Sequence, residues 1–477
     1  MKRLILLFVI LFLIQSFPQT RIESLRTKIN SLLENDFFKT TNIALQIHDL
    51  NSDRTIYSKN TKLLLNPASN MKLLTTAAAI EFYGDDLFFS TQVYYTGEIL
   101  FGSLKGDLYI AGGLDPDFTL ADMDSLASQL KRLNIRKIEG NICGDISIKD
   151  SLFWGIGWMW DDDLYPDAPF LSALNINDNI IEVAVKSSFT KSKPEIEIYP
   201  PNEFIRIRNE AFIDLNAEST YVEITRDWLN RSNDVIVKGI IKPLTKNPET
   251  VAKRKLNLFS PERVFINFLI ERLKQNGITV NGKANIKNVP FNSVKLFSYE
   301  RPFTSVIDNL NKESDNLSAE MTFYLLGERF FGKPSSSQKG IEAIKKFLKL
   351  IRLNPENYVI ADGSGVSRYN LITAECLIEI LKYMYKKGGK TYETFLNSLP
   401  VAGVDGTLTN RMKNRFTLGN VKAKTGTLQG VSCLSGYLKT KNQHDIAFSI
   451  LIQNFIGSPQ KARGFQDEIC RLIVENY

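Results

Sequence analysis

The sequence predicts an α/β protein in which a β-rich inserted block interrupts helix-bearing first and last blocks. Three observations predict it. The chain has 477 residues, enough for roughly two to four domains. Its composition is 43% hydrophobic and 23% charged, which is ordinary for a globular protein and excludes collagen-like, disordered and disulfide-scaffold classes. The apolar pattern changes character near residues 91 and 295. The expected organisation is therefore a discontinuous domain, 20–91 with 296–477, around an inserted region, 92–295, of two α+β subdomains.

The N-terminus reads as a targeting segment. Met1-Lys2-Arg3 precedes an unbroken apolar run, Leu4 to Ile14. A charged n-region with a short h-region predicts a signal peptide over residues 1–19, hence export. The run is too short to span a bilayer of about 30 Å as a helix. No cysteine follows it, so a lipid anchor is unsupported.

The first block then opens with a helical pattern, Ile22 to Leu33, followed by strands at Ile43–Leu50 and Thr55–Tyr57. The segment Ser69 to Tyr83 is rich in alanine and other helix formers. The middle block carries strand-like runs at 106–111, 180–185, 195–199, 221–225 and 235–241. It also carries two helices. One covers Leu120 to Leu133; the other has Ser260 as N-cap, Pro261 at its first position and Gly277 just past its end. The last block predicts helices at 316–331, 340–351 and 373–387, strands at 420–428, 432–439 and 445–453, and a final helix from Pro459 to Glu475.

Charge and rare residues narrow the chemistry. Lys and Arg number 59 against 52 Asp and Glu, a net charge of +7. That is mildly basic, but no basic stripe with interleaved aromatics indicates nucleic acid. There are two histidines, His48 in a strand-like run and His444 in a polar turn. An imidazole-rich metal site is excluded, and a hydrolase here needs a base other than histidine. The four cysteines, Cys143, Cys376, Cys433 and Cys470, form no C-x-x-C pair. Their spacing leaves both disulfides and buried free thiols open.

Three short elements carry the candidate chemistry. In Pro67-Ala68-Ser69-Asn70-Met71-Lys72 a serine opens a helix, and a lysine three residues on lies on the same face one turn along. A desolvated lysine near other cations loses its proton near neutral pH and can then take the serine's proton. This S-x-x-K spacing also occurs at Ser128, Ser188, Ser336 and Ser458, where an ordinary helix start is the simpler reading. Only Ser69 has the companions that follow. The second element, Ser314-Asp315-Asn316, puts a hydroxyl and a carboxamide two apart, although these residues also suit a plain helix N-cap. Ser314 could relay a proton to a leaving amine, and Asn316 could hold a substrate amide. The third, Lys424-Thr425-Gly426-Thr427, lies on a predicted strand. Lys424 and Thr425 offer a cation and a hydroxyl to a carboxylate. Gly426 lets a substrate backbone approach. The Thr427 N–H could pair with that of Ser69 as an oxyanion hole. A β-strand with a glycine bulge is the simpler reading.

Taken in this order, the three elements resemble the class C low-molecular-mass penicillin-binding proteins, which are D-alanyl-D-alanine carboxypeptidases and endopeptidases. Further matches are Gly106-Asp107-Leu108-Tyr109 with Gly112-Gly113-Leu114-Asp115-Pro116, then Asp362-Gly363-Ser364-Gly365 with Ser367-Arg368-Tyr369-Asn370, and then the segment from Leu399 to Leu408. Leu114 stands where glycine is common in the family. The resemblance implies a transpeptidase-like domain, an antiparallel sheet covered by helices. It implies Ser69 as acylated nucleophile, Lys72 as its base, Ser314 and Asn316 as second-element partners, and Lys424 and Thr425 as carboxylate binders. It implies peptidoglycan peptides ending in D-Ala-D-Ala as substrate, β-lactams as covalent inhibitors, a periplasmic or cell-envelope location, and peripheral membrane or cell-wall association. No metal or organic cofactor is implied. A β-lactamase is the rival enzyme, and the length of the insertion argues against it. A penicillin-binding sensor or wall-binding protein without turnover is the non-enzyme alternative.

Two patterns are set aside. Gly327 to Lys333 echoes a phosphate-binding loop, but Pro334 replaces the needed Ser or Thr. Asp161-Asp162-Asp163 reads as a solvated acidic turn rather than a cation site.

Overall fold

The computed structural model describes residues 21–243 and 245–477. The signal-peptide expectation, residues 1–19, lies outside the described residues. Among them, no helix is long and apolar enough to cross a membrane. The chain divides into two compact units. One runs through Leu87 and includes Ile307–Asp315 and Ile341–Tyr477; the other comprises Phe88–Val306 and Asn316–Gly340.

The first unit is built on a five-stranded antiparallel sheet. Its strand order is Lys422–Leu428, Val431–Lys439, Asp445–Gln453, Asn42–Asp49, Arg54–Lys59. The pairing of Asn42 with Gln453 and of Asp49 with Ile446 closes the two ends of the chain on each other. Asp445–Gln453 is buried along nearly its whole length, as expected of a central strand covered on both faces. Alternation sends Ile43, Leu45 and Ile47 to one face, where they join Ile22, Leu25 and Ile29 of the 21–33 helix and Ile469 and Ile473 of the last helix, Gln460–Asn476. The Met71–Phe82 helix is buried nearly all round, with Ala77, Ala78 and Ala79 fully enclosed. Thr373 caps Ala374–Lys387 by accepting from the Cys376 N–H at 3.0 Å.

Among its described residues the second unit carries four sheets. In the largest, the order is Ala284–Ile286, Ile142–Asp145, Leu108–Ala111, Phe88–Tyr95, Val294–Pro302. Helices Leu120–Arg132 and Pro261–Gln275 pack on one continuous apolar core that includes Leu126, Leu130, Phe265 and Leu269. Leu114 takes a left-handed conformation, φ +63, while fully buried, so this turn holds a side chain where glycine would be unstrained. Asp115 beside it accepts from Arg301 at 2.8 Å.

The structure differs from the sequence expectations at several points. Ser260 precedes Pro261 as expected, but its φ is +52 and its side chain makes no cap hydrogen bond. A helix at Gly389–Ser398 escaped the sequence because its polar, glycine-led composition hides the apolar side. Of the two set-aside patterns, Gly327 lies inside the helix Asn316–Phe331. In the acidic turn, Asp162 accepts the Met159 N–H at 2.9 Å and Asp163 pairs with Arg226. The four cysteines are free and buried.

Candidate active site

A strained turn presents Ser69. Ala68–Asn70 form a short 3-10 turn leading into the Met71–Phe82 helix, so the serine sits two residues before the α-helix proper. Ala68 is fully buried at φ +45, a region costly for any side-chain-bearing residue. Its N–H donates to Asn66 Oδ1 at 2.8 Å. From the other side Gly365 packs so closely that a Cβ there would lie 1.9 Å from the Ala68 carbonyl oxygen. The strain is therefore imposed by long-range contacts at the residue beside Ser69.

Lys72 is fully buried, and its Nζ donates to Ser69 Oγ at 3.2 Å and to the Ser364 carbonyl at 2.8 Å. That carbonyl belongs to a loop organised by the buried Asp362. Its carboxylate accepts the Gly365 N–H at 2.8 Å, the Ser367 N–H at 2.6 Å and the Asn370 amide at 2.6 Å. The Asp362–Asn370 match noted in the sequence is thus a scaffold for the Lys72 amine, a role invisible from composition because the partners are almost 300 residues apart.

The Lys-Thr-Gly strand, Lys422–Leu428, is an edge of the sheet. Lys424 is fully buried, and its Nζ donates to Ser314 Oγ at 2.8 Å and to the Thr425 carbonyl at 3.0 Å. Burial, then the charge of Lys72, holds its amine well below the usual lysine range. Ser314 is itself left-handed, φ +63, at the end of a short π-helical turn, Asn309–Glu313. Asn70 ties the nucleophile turn to this strand by donating to the Lys424 carbonyl at 3.1 Å. At Gly426 a Cβ would sit 2.8 Å from the Pro67 carbonyl oxygen and 3.0 Å from the Ser69 nitrogen, so only glycine allows the strand to lie this close to the serine.

Ala423 donates its N–H outward to the Pro400 carbonyl at 3.0 Å. With no register shift along Lys422–Leu428, the two-residue alternation turns the Thr425 and Thr427 N–H groups to that same open edge. The Thr425 hydroxyl donates to Thr407 Oγ1 at 2.8 Å, and Thr427 Oγ1 accepts from Arg463 at 3.2 Å. Thr407 falls in the Leu399–Leu408 segment that matches the family, where it carried no role of its own, and Arg463 carried no signal in the sequence. The spacing of the three elements held no signal for either.

The first unit thus brings together Ser69, Lys72, Ser314, Lys424, Thr425 and Thr427. Asn316 begins the Asn316–Phe331 helix of the second unit, where its amide donates to the Asp167 carbonyl. Both histidines are engaged with acids elsewhere, His48 with Asp53 and His444 with Asp49, each at 2.9 Å.

Comparison with known proteins decides the family. The D-Ala-D-Ala carboxypeptidase 3 (S13) family matches residues 25–474. The chain belongs to this family. It is 28% identical to the D-alanyl-D-alanine carboxypeptidase DacB of Haemophilus influenzae, over 87% of this chain and 86% of that protein. It is also 28% identical to the D-alanyl-D-alanine carboxypeptidase of Actinomadura sp., over 95% of this chain and 85% of that one. The crystal structure of penicillin binding protein 4 (dacB) from Haemophilus influenzae superposes with a TM-score of 0.80 at 25% identity, covering 93% of this chain and 97% of the other. The same protein complexed with a novel β-lactam gives a TM-score of 0.74. The fold is therefore the α/β penicillin-binding fold with inserted domains. The family makes the chain a serine-type D-Ala-D-Ala carboxypeptidase.

Proposed function

We propose that this carboxypeptidase works through an acyl-enzyme on Ser69. The observation that carries the reading is the chain of contacts Ser69 Oγ, Lys72 Nζ, Ser364 carbonyl on one side and Lys424 Nζ, Ser314 Oγ on the other. A neutral Lys72 takes the Ser69 proton as Oγ attacks the carbonyl carbon of the penultimate D-Ala. The Ser69 and Thr427 N–H groups hold the oxyanion. Ser314 relays to the departing amine the proton that Lys72 took, and D-Ala leaves; Lys72, neutral again, takes a proton from the water that attacks the ester and returns it to Ser69 Oγ as the peptide is released. Asn316 is proposed to hold a substrate amide. The natural substrate is a peptidoglycan peptide ending in D-Ala-D-Ala, met after export to the periplasm or cell envelope. β-Lactams acylate the same serine. Peripheral association with membrane or wall would keep the enzyme near its polymer.

A fluorescent penicillin should label the protein covalently at Ser69. Peptide mapping of the adduct checks this: labelling that persists in Ser69→Ala, or that maps to Ser336 or Ser458, defeats the assignment.

Lys424 and Thr425 are proposed to read the free C-terminal carboxylate. With Lys72 neutral, burial is what suppresses the charge on Lys424, and an arriving anion offsets it, so the receptor responds to a carboxylate and not to a neutral terminus. Wild type should cleave a D-Ala-D-Ala peptide far better than its C-terminal amide. Lys424→Ala should lose roughly ten- to a hundredfold of that preference in kcat/KM, the value of a charge-assisted hydrogen bond. Equal cleavage of acid and amide by wild type would remove the carboxylate receptor from the reading.

A further inference from the structure

We propose that Thr407 is a positioning residue for the carboxylate receptor, its hydroxyl aiming that of Thr425 at the terminal carboxylate of the substrate. The inference rests on the carboxylate-receptor reading of Lys424 and Thr425. It starts from the 2.8 Å hydroxyl–hydroxyl contact at the open edge of the Lys-Thr-Gly strand. In the resting structure Thr425 spends its single proton on Thr407. A carboxylate offers only acceptors, so Thr425 must turn its O–H outward to bind one. The contact with Thr407 is then kept by reversing it, with the Thr407 hydroxyl as donor. The two rotate together: Thr407 donates to Thr425, and Thr425 donates to the anion. A relay of this kind polarises the outer hydroxyl and strengthens its bond to the charge.

Relay geometry needs a fixed inner hydroxyl, and the surroundings fix it. Thr407 lies on the short turn Gly406–Leu408. Gly406, at φ +53, is pressed against the segment before Ser314, where a Cβ would lie 2.5 Å from the Lys312 carbonyl oxygen. Asp405 accepts from Lys312 Nζ at 2.8 Å and from the Val401 N–H at 2.7 Å. Leu408 is fully buried, and its carbonyl accepts the Gly403 N–H at 3.0 Å. On the strand side the Ala402 N–H donates to the Val421 carbonyl at 2.9 Å. The segment from Leu399 to Leu408 is therefore pinned both to the strand that carries Thr425 and to the turn that carries Ser314. The Thr407 side chain itself is exposed, so its replacement leaves the core intact.

The test compares kcat and KM for a D-Ala-D-Ala peptide and its C-terminal amide in wild type, Thr407→Val and Thr407→Ser. Valine keeps the shape and removes the hydroxyl; serine keeps the hydroxyl. The free-acid preference should fall about three- to tenfold in Thr407→Val, through KM, as expected for one hydrogen bond. Thr407→Ser should restore it. A Thr407→Val enzyme with the wild-type preference overturns the proposal. So does an equal loss on acid and amide, which would make Thr407 a structural residue of its loop. If wild type shows no preference for the acid, the receptor reading itself fails, and this role falls with it.

Discussion

Lys72→Ala is expected to slow acylation of Ser69 by about 10²–10⁴-fold, the usual worth of a positioned general base. Lys72 is fully enclosed, its amine 3.2 Å from Ser69 Oγ and fixed from behind by the Ser364 carbonyl. No imidazole stands in for it, because His48 and His444 hydrogen-bond to Asp53 and Asp49. The charge of Lys72 is also one of the two causes that depress Lys424. Truncation should therefore let Lys424 keep its proton to higher pH, so binding of the substrate carboxylate should survive while acylation is lost. Single-turnover acylation by a chromogenic β-lactam, followed across pH, separates the two effects. Wild type should acylate rapidly, and Lys72→Ala should be slow at every pH. A near-normal rate in the variant would mean that another group activates Ser69.

What the sequence disclosed about this site was the part that depends on local spacing. Ser69 and Lys72 lie one turn apart, and Lys424 to Thr427 lie on one strand; both relations follow from backbone periodicity. The boundaries of the antiparallel strands at 422–428, 431–439 and 445–453 also fell within two residues of the expected ones, because the polar turns at Gln429-Gly430 and Lys441–His444 separate them. Hidden from the sequence was whatever is fixed by distant chain segments. Asp362 organises the carbonyl that holds Lys72. Thr407 reaches Thr425 from a loop that matches the family but whose residues, taken alone, read as turns. The positive φ of Ala68 cannot be inferred from an alanine, whose intrinsic preference is for the right-handed helix. Ser314 reads equally well as a helix cap, and only its contact with Lys424 distinguishes the two. These features share one cause: each is a local conformation or orientation that the tertiary fold imposes against, or without reference to, the residue's own preference.

The strain at Ala68 makes Gly365→Ala the substitution with the largest expected effect outside the reacting groups. Two penalties fall on it together. Gly365 has φ +89, a region that side-chain-bearing residues avoid. Its Cβ would also stand 1.9 Å from the Ala68 carbonyl oxygen, 2.4 Å from the carbonyl carbon and 3.0 Å from Met71 Cβ. Backbone strain alone costs about 1–3 kcal/mol. The clash adds to it, because both partners are backbone atoms within a buried turn and cannot rotate away. A total loss of about 3–5 kcal/mol is expected. Gly419→Ala isolates the first penalty: Gly419 has φ +69 but meets nothing within 4 Å, so it should lose only about 1 kcal/mol. Activity should separate the two variants further. Ala68 immediately precedes Ser69, and a displacement of about 1 Å at a reacting group costs on the order of 10²-fold in rate. Below its melting transition, folded Gly365→Ala should therefore acylate on the order of a hundredfold more slowly than wild type, while Gly419→Ala keeps the wild-type rate. Thermal unfolding and β-lactam acylation of both variants check this. If Gly365→Ala unfolds no earlier than Gly419→Ala and acylates normally, the loop from Asp362 does not hold the nucleophile turn in place. The nucleophile segment would then be tied to that loop by side chains instead: the Lys72 amine on the Ser364 carbonyl, the Asn66 amide on the Ser367 carbonyl and the Thr75 hydroxyl on the Gly363 carbonyl.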